Sequence, residues 1–469
     1  MEVGQLGPLE GGRVLLGGGP IRAERLVSGA RRIYRPALMS ARSWLLAPAI
    51  AALVLAAARP AIASSEDVFG FGVRSMAMGA AGTAVGQGYE AVYGNPALLA
   101  LARDRELTLG FVGAHFDLRA GDRISYDGLQ GSFIGATLPV PFGGLLKDRI
   151  AIGLGFFAPF DLIVRGRILF PETPQFLIAD RTQSVAVQAG LGVDLGGGFR
   201  VGGGFAALAA LTGSVLVATD ASGRVGTVVE DTLVASYGPI VGASYDIGDA
   251  YRVGLTYRGE LVGRFNVVIT VQDLGGIVVP PLNIAGVAQF DPWQIAAELA
   301  RVKGSWKIAA GVTFKRWSAY PGPAEATVRC PEADPSTGAT GSCGALVPDP
   351  PGYSDTVVPR VGVERTLDLR PGLRSHLRGG YFFEPSPAPD QTGAANLFDN
   401  ARSVFTLGYG VDLTSPLPTL RAEWFGQLHV LHDRTHTKNL GVPPENAGSP
   451  SVETSGLIVA GGATLGVTF

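Results

Sequence analysis

Five arginines stand among carboxylates at strand-like spacing: Arg258, Arg264, Arg360, Arg374 and Arg378, with Glu260, Glu364 and Glu423. By alternation they occupy the polar face of their segments and point to one interior. A guanidinium is a planar fork of donors that fits a carboxylate through two parallel hydrogen bonds. The set therefore either ties segments together as a ladder of ion pairs, or lends a member (Arg258, Arg264, Arg360 or Arg378) to the capture of a carboxylate ligand. His429, His432 and His436 have metal-ligand spacing only on a helix. Here His429 ends a strand-like run and the others enter a loop, so no metal site is expected. No nucleophile elbow, phosphate loop or paired acid stands in a suitable context, which predicts a protein that is not an enzyme and needs no cofactor.

The elements that would position these side chains alternate with period two. Val253, Leu255, Tyr257 and Leu261 oppose Arg252, Thr256, Arg258, Glu260 and Arg264; Phe405, Leu407, Tyr409 and Leu413 oppose Thr406, Gly408, Gly410 and Asp412. The last strand runs to the final residue, with Leu457, Val459, Ala463, Leu465, Val467 and Phe469 on one face and small or polar residues on the other. One dry and one wet face define half-buried strands rather than helices. Fourteen such stretches follow one another from 105–119 to 455–469, and long and tight connections alternate between them. An even number with long loops on one side is the pattern of an antiparallel transmembrane β-barrel. A soluble β-sandwich array or propeller would instead show an internal repeat, and none is evident.

Composition and targeting agree. The 469 residues are 46% hydrophobic and only 17% charged, with 67 glycines. That is too apolar for a typical soluble core. The apolar run from Leu45 to Ala58 is shorter than the roughly 20 residues a spanning helix needs. It follows Met39-Ser-Ala-Arg42 and precedes Ala61-Ile62-Ala63, so 39–63 reads as a secretory signal cleaved after Ala63. Residues 1–38 read as an upstream start-site artefact or an extended n-region. Net charge of −2 speaks against a nucleic-acid partner. Cys330 and Cys343, in a Pro/Gly/Ser-rich segment of an exported chain, are expected to form a loop disulfide; two cysteines are too few for a Cys-only metal site.

Residues 64–104 do not alternate and are too glycine-rich for a long helix and too apolar for a free tail. Asn95 as N-cap and Pro96 in the first turn predict a short helix over 96–102. Gly72-Val-Arg-Ser-Met-Ala-Met-Gly-Ala-Ala-Gly-Thr-Ala84, followed by Asn95-Pro96-Ala97, resembles the N-terminal hatch of the FadL/TodX family of outer-membrane channels for long-chain fatty acids and other hydrophobic molecules. The likeness continues in Phe290-Asp-Pro-Trp-Gln294, Trp317-Ser-Ala-Tyr320, Tyr381 to Gln391, Asn396 to Asn400 and His432-Asp-Arg-Thr-His436. The terminal Phe469 likewise resembles the assembly signal of bacterial outer-membrane barrels.

The resemblance implies an all-β fold: a 14-stranded barrel (105–469) plugged by a hatch (64–104), with Phe69, Phe71, Asn95, Pro96 and Ala97 as hatch residues. It implies a monomer in the outer membrane of a Gram-negative bacterium, assembled there by the barrel-assembly machinery. It implies uptake of fatty acids or other hydrophobic molecules by passive, hatch-gated diffusion, with sideways release at a kinked third strand. Gly153, Gly155 and Pro159 mark that strand, and proline there removes a ladder hydrogen bond. The resemblance also implies a basic residue on the fifth strand for a carboxylate. Phe205 to Val217 has none, and a neutral hydrocarbon would be the TodX-like ligand. The apolar loop 161–181 offers Leu162, Ile163, Leu169, Phe170, Phe176 and Leu177 as a ligand groove; self-packing, or contact with lipopolysaccharide through Arg165 and Arg167, is the other reading. A non-transporting scaffold or secretion partner with a similar barrel is the alternative to a channel.

Overall fold

The computed structural model describes residues 65–469 except 125, 127, 161–173, 181–184, 220–224, 273–281, 329–349, 394, 416–417 and 439–449. The signal and the segment before it, the groove candidates Leu162, Ile163, Leu169 and Phe170, and Cys330 and Cys343 lie outside the described residues.

Fourteen strands form the wall: β1 (Glu106–Ala120), β2 (Leu129–Pro139), β3 (Ile150–Pro159), β4 (Ala186–Gly196), β5 (Phe199–Thr219), β6 (Val225–Ile247) and β7 (Tyr251–Arg258). These are followed by β8 (Gln294–Arg301), β9 (Trp306–Lys315), β10 (Thr356–Arg370), β11 (Leu373–Glu384), β12 (Arg402–Leu413), β13 (Thr419–Thr437) and β14 (Ser451–Thr468). Each pairs antiparallel with its sequence neighbour, and β1 returns to β14 with Glu106 opposite Thr468 and Ala120 opposite Thr454. The backbones of Arg105 and Phe469 exchange both hydrogen bonds at the seam. Closure leaves no wall edge unpaired, as a strand in lipid requires.

Burial runs opposite to that of a soluble protein. Leu109, Leu255, Leu407, Val459 and Leu465 are among the exposed side chains, whereas Thr108, Thr256, Thr313, Glu364 and Gln427 are buried. Apolar residues therefore coat the outside and polar ones fill the inside, so lipid is the solvent of the wall. The tight connections lie on the side of the chain's C-terminus, at residues 197–198, 248–250, 302–305 and 371–372; 140–149 is the longer exception.

One local departure from simple alternation alters the predicted interior. Pairing of β6 with β7 ends at Ile240 opposite Arg258, beside Pro239, which has no N–H to continue the ladder. The side-chain phase slips there: Leu261 is buried and Glu260 and Arg264 are exposed, the reverse of strict alternation from Arg258. Beyond the slip the chain continues as a strand, Leu261–Gln272, which pairs in parallel with the outer part of β5, Phe265 opposite Leu211 and Gln272 opposite Ala218.

Candidate functional site

The segment Ser65 to Leu101 lies among the inward faces of the wall strands. It holds three short helices, α1 (Ser65–Phe69), α2 (Val73–Ala77) and α3 (Ala91–Gly94), and two 3-10 turns, Gly88–Glu90 and Pro96–Leu101. The predicted cap is present, on a 3-10 turn. The Asn95 side chain accepts from Ala97 N (3.1 Å) and donates to Thr83 O (2.7 Å) and to Ala243 O of β6 (2.9 Å). One amide thus starts the turn, ties two parts of the segment together and fastens both to the wall. Phe69, Phe71, Asn95, Pro96 and Ala97 are all buried. Gly72 has φ +83°, and a Cβ there would overlap the Glu90 side chain, so no other residue fits.

Glycine also explains how so much chain fits inside. A Cβ added at Gly153, Gly202, Gly242, Gly254, Gly362 or Gly408 would overlap the inner segment: Val92 and Leu99, Pro96 and Ala97, Asn95, Thr83, Met78, and Ala77 respectively. These six stand on six different strands, so the wall has been pared to backbone on many sides of the segment. The third strand is part of this pattern. Gly153 faces Val92 and Leu99, and Gly155 faces Phe71. β3 is paired with β4 from Ile150 to Phe157 and with β2 from Ala151 to Pro159. Gly153 and Gly155 are thus paired on both sides and serve close approach, whereas Pro159 is paired with Gly131 of β2 and lies beyond the last β3–β4 pair at Phe157.

Charge pairs fix the segment in place. Glu364 on β10 is 1% exposed and receives Arg74 of α2 at 2.8 Å, Arg378 at 2.7 Å and Lys307 at 2.9 Å; Arg378 also lies 2.7 Å from Glu423. A second cluster joins Asp67 of α1 to Lys315 (2.9 Å), which also holds Glu384 (2.6 Å), with Arg402 at 3.1 Å from Glu384. Glu298 accepts from the backbone of Gly82 and Ala84. Arg378 thus belongs to the ladder. Arg264 is exposed, and Arg374 is exposed and paired with Asp368. Arg258 and Arg360 differ: both line a cavity of about 30 Å³ with Glu66, Asp67, Tyr93 and Thr83. That volume holds one or two waters.

Burial raises the carboxyls of Glu66 and Glu90 to about 8, helped by the charge of Asp291 on Glu66 and of Glu423 on Glu90. Both values stand above the ordinary 4.5, so their contribution to docking of the inner segment is complete below about pH 4.5 and is lost as pH rises through about 8. Amide exchange of residues 65–94, corrected for the intrinsic rate, is expected to be faster above pH ~8.5 than at pH ~6. Glu90→Gln should flatten that rise, and a profile independent of pH would contradict the assignment.

Above the charged layer the mouth is apolar. Gln175–Phe176 pairs in parallel with Leu397–Phe398, and Phe176 N donates to Tyr126 Oη (2.6 Å). The Phe176 ring packs with Tyr126 and Phe398, while Leu177 joins Val287, Phe290, Trp317, Tyr320 and Tyr353. Of the predicted groove, Phe176 and Leu177 are buried here, in separate clusters. The aromatic partners Trp317, Tyr320 and Tyr353 were not anticipated as part of it, although spacing of aromatics in the 317–320 motif was a usable signal. His429 packs between the rings of Phe69 and Phe382 and contacts Gln427, and His436 packs on Phe398. Among the described residues no group of His, Cys, Asp or Glu could hold a metal.

A closed barrel with an apolar coat and a charged, filled interior defines an outer-membrane β-barrel protein. A family model described as outer membrane protein transport protein (OMPP1/FadL/TodX) matches residues 54–420, and the chain belongs to that family. Similar solved structures include a Pseudomonas aeruginosa FadL homologue, 13% identical with a TM-score of 0.51, covering 87% of this chain and 98% of that one. Another is the P. putida toluene transporter TodX, 15% identical with a TM-score of 0.51, covering 86% and 99%. At these identities the likeness is one of fold. No curated protein sequence matches the chain.

Proposed function

We propose that this protein admits long-chain fatty acids or other hydrophobic molecules across the outer membrane by passive diffusion, with the inner segment acting as the hatch. The observation that carries this reading is an aromatic mouth, Phe290, Trp317, Tyr320 and Tyr353, above a lumen occupied by the inner segment, where the cavity beside Arg258 and Arg360 has about 30 Å³. An apolar molecule can be taken from water at the mouth, but it can pass only if the segment moves. Sideways release at β3 would require Val92, Leu99 and Phe71 to withdraw from Gly153 and Gly155.

The test is uptake of oleate and of toluene by cells carrying the intact protein or a deletion of residues 69–98, with planar-bilayer conductance measured in parallel. Near-zero conductance with uptake of either compound is expected from the intact protein, and altered selectivity from the deletion. Unchanged uptake and selectivity after the deletion would end the hatch mechanism. A sealed barrel that takes up neither compound and copurifies with a protein would favour the scaffold.

A further inference from the structure

Lipid is the solvent of the outward row of side chains, and two arginines stand in that row. On the outer face of β8 to β10, Leu299, Ile308, Val312 and Val361 are exposed apolar side chains. Next to the tight turn 302–305 the row ends in Arg301 and Trp306, with Arg365 directly opposite Trp306, and all three are exposed. Parity fixes their direction. Arg301 is two residues beyond Leu299, Trp306 is two before Ile308, and Arg365 is four beyond Val361, so each shares the face of an apolar outer residue. Exposed Tyr251 of β7 stands opposite Arg301. At the other end of the same band Trp293 packs on Tyr257 and Phe314. Aromatic girdles bound the apolar band of a barrel at its two interfaces. Arg301 and Arg365 therefore stand at headgroup level, in the leaflet on the side of the tight turns.

The protein does not neutralise these two cations. The exposed Arg123, Lys303 and Arg374 each have an aspartate partner. Among the described residues Arg301 and Arg365 make no ion pair, and the carboxylates on the same strands, Glu298 and Glu364, are buried on the inner face. Arg365 lies 5.0 Å from the centre of the Trp306 ring, a neutral partner. Arg301 is on β8 and Arg365 on β10, and Trp306 on β9 stands between them. Two strand spacings separate their backbones by about 10 Å across the sheet. Extended arginine side chains can close such a gap around one phosphate.

We propose that Arg301, Arg365 and Trp306 form a binding site for the phosphate of an anionic phospholipid, phosphatidylglycerol, in this leaflet. The phosphodiester accepts charge-assisted hydrogen bonds from both guanidiniums. Trp306 packs at the level of the glycerol, and the acyl chains run along Leu299, Ile308 and Val361. Phosphatidylethanolamine brings an ammonium to the same place, where the second arginine repels it. The bound lipid fixes the depth of this rim in the bilayer. The site does not depend on what the lumen carries.

The experiment is native mass spectrometry of the full protein in detergent with equimolar dioleoyl phosphatidylglycerol and dioleoyl phosphatidylethanolamine. The parent should retain the anionic lipid about tenfold or more over the zwitterionic one, with about fivefold contributed by each arginine. Arg301→Gln and Arg365→Gln should each lower that preference about fivefold, and the double variant should abolish it. Arg301→Lys keeps the charge and should keep part of the preference, and it stands in if a glutamine variant fails to assemble. Arg123→Gln removes the same charge at the opposite rim and should change nothing. No preference in the parent, or one that survives the double variant, overturns the proposal. An equal loss in Arg123→Gln overturns it as well, because net charge alone would then account for the effect. Displacement of the lipid by equimolar glycerol 3-phosphate would assign the site to free anions. Tighter retention of lipopolysaccharide would place this rim in the other leaflet, and a doubled mass lost in the double variant would assign the face to a second copy of the chain; each of these results overturns the proposal.

Discussion

Glu364→Ala is expected to destabilise the protein by about 3–5 kcal/mol, the cost of leaving buried partners uncompensated. Glu364 is the common acceptor for Arg74, Arg378 and Lys307. Without it Arg378 keeps Glu423, but Arg74 and Lys307 remain as like charges in a place with little water. The inner segment bears Arg74, so release should begin there. Amide exchange of residues 73–79 should rise steeply, and the unfolding midpoint, read from the heat-modifiable gel mobility typical of such barrels, should fall. Asp368→Ala is the matched control, because its pair with Arg374 is exposed at the rim, and surface pairs contribute little. Similar small effects from both variants would show that the buried network does not hold the segment. The double variant Glu364→Met/Arg74→Met should be milder than Glu364→Ala, since removing both members of a buried pair spares the lone charge.

A second large effect is expected from two neighbouring glycines on one strand. Gly202 faces inward and a Cβ there would overlap the backbone of Pro96 and Ala97, whereas Gly203 faces lipid with nothing within 4 Å. Gly202→Val should therefore fail to seat the inner segment, at an overpacking cost of about 1–3 kcal/mol or more, because backbone cannot yield as a side-chain tip can. Planar-bilayer conductance should climb from near zero to that of an open lumen. Gly203→Val should assemble and conduct like the parent. Identical behaviour of the two variants would mean that the wall and the segment are not in close contact at β5.

The wall itself was legible from the chain because its rule is local. Period two fixes which residues share a face, and a membrane reverses the usual sense, so exposed Leu407 and buried Thr406 follow from sequence spacing once lipid is assumed. The Asn95 cap was legible for the same reason, since its partner Ala97 is two residues away. Arg264 was misplaced because a slip at Gly259 and Glu260, next to Pro239, turns Leu261 inward and leaves Arg264 exposed. Nothing in the period announces such a slip. The glycines of β3 were read as a weak point, yet their reason lies in Phe71, Val92 and Leu99, which reach them only in the folded molecule.

The arginines mark the boundary most clearly. Sequence alone established that a set of them faces the lumen beside carboxylates, because alternation assigns faces. Tertiary structure decided their roles, because ion pairs join residues as far apart as Arg74 and Glu364. The spacing that put Arg258, Arg360 and Arg378 on inner faces says nothing about which acid each will meet. Only the folded chain, with the inner segment threaded among the strands, gives Arg378 two carboxylates and leaves Arg258 and Arg360 with neutral partners. Faces are set by local geometry; partners are set by which distant segments the closed barrel brings within 3 to 4 Å of one another.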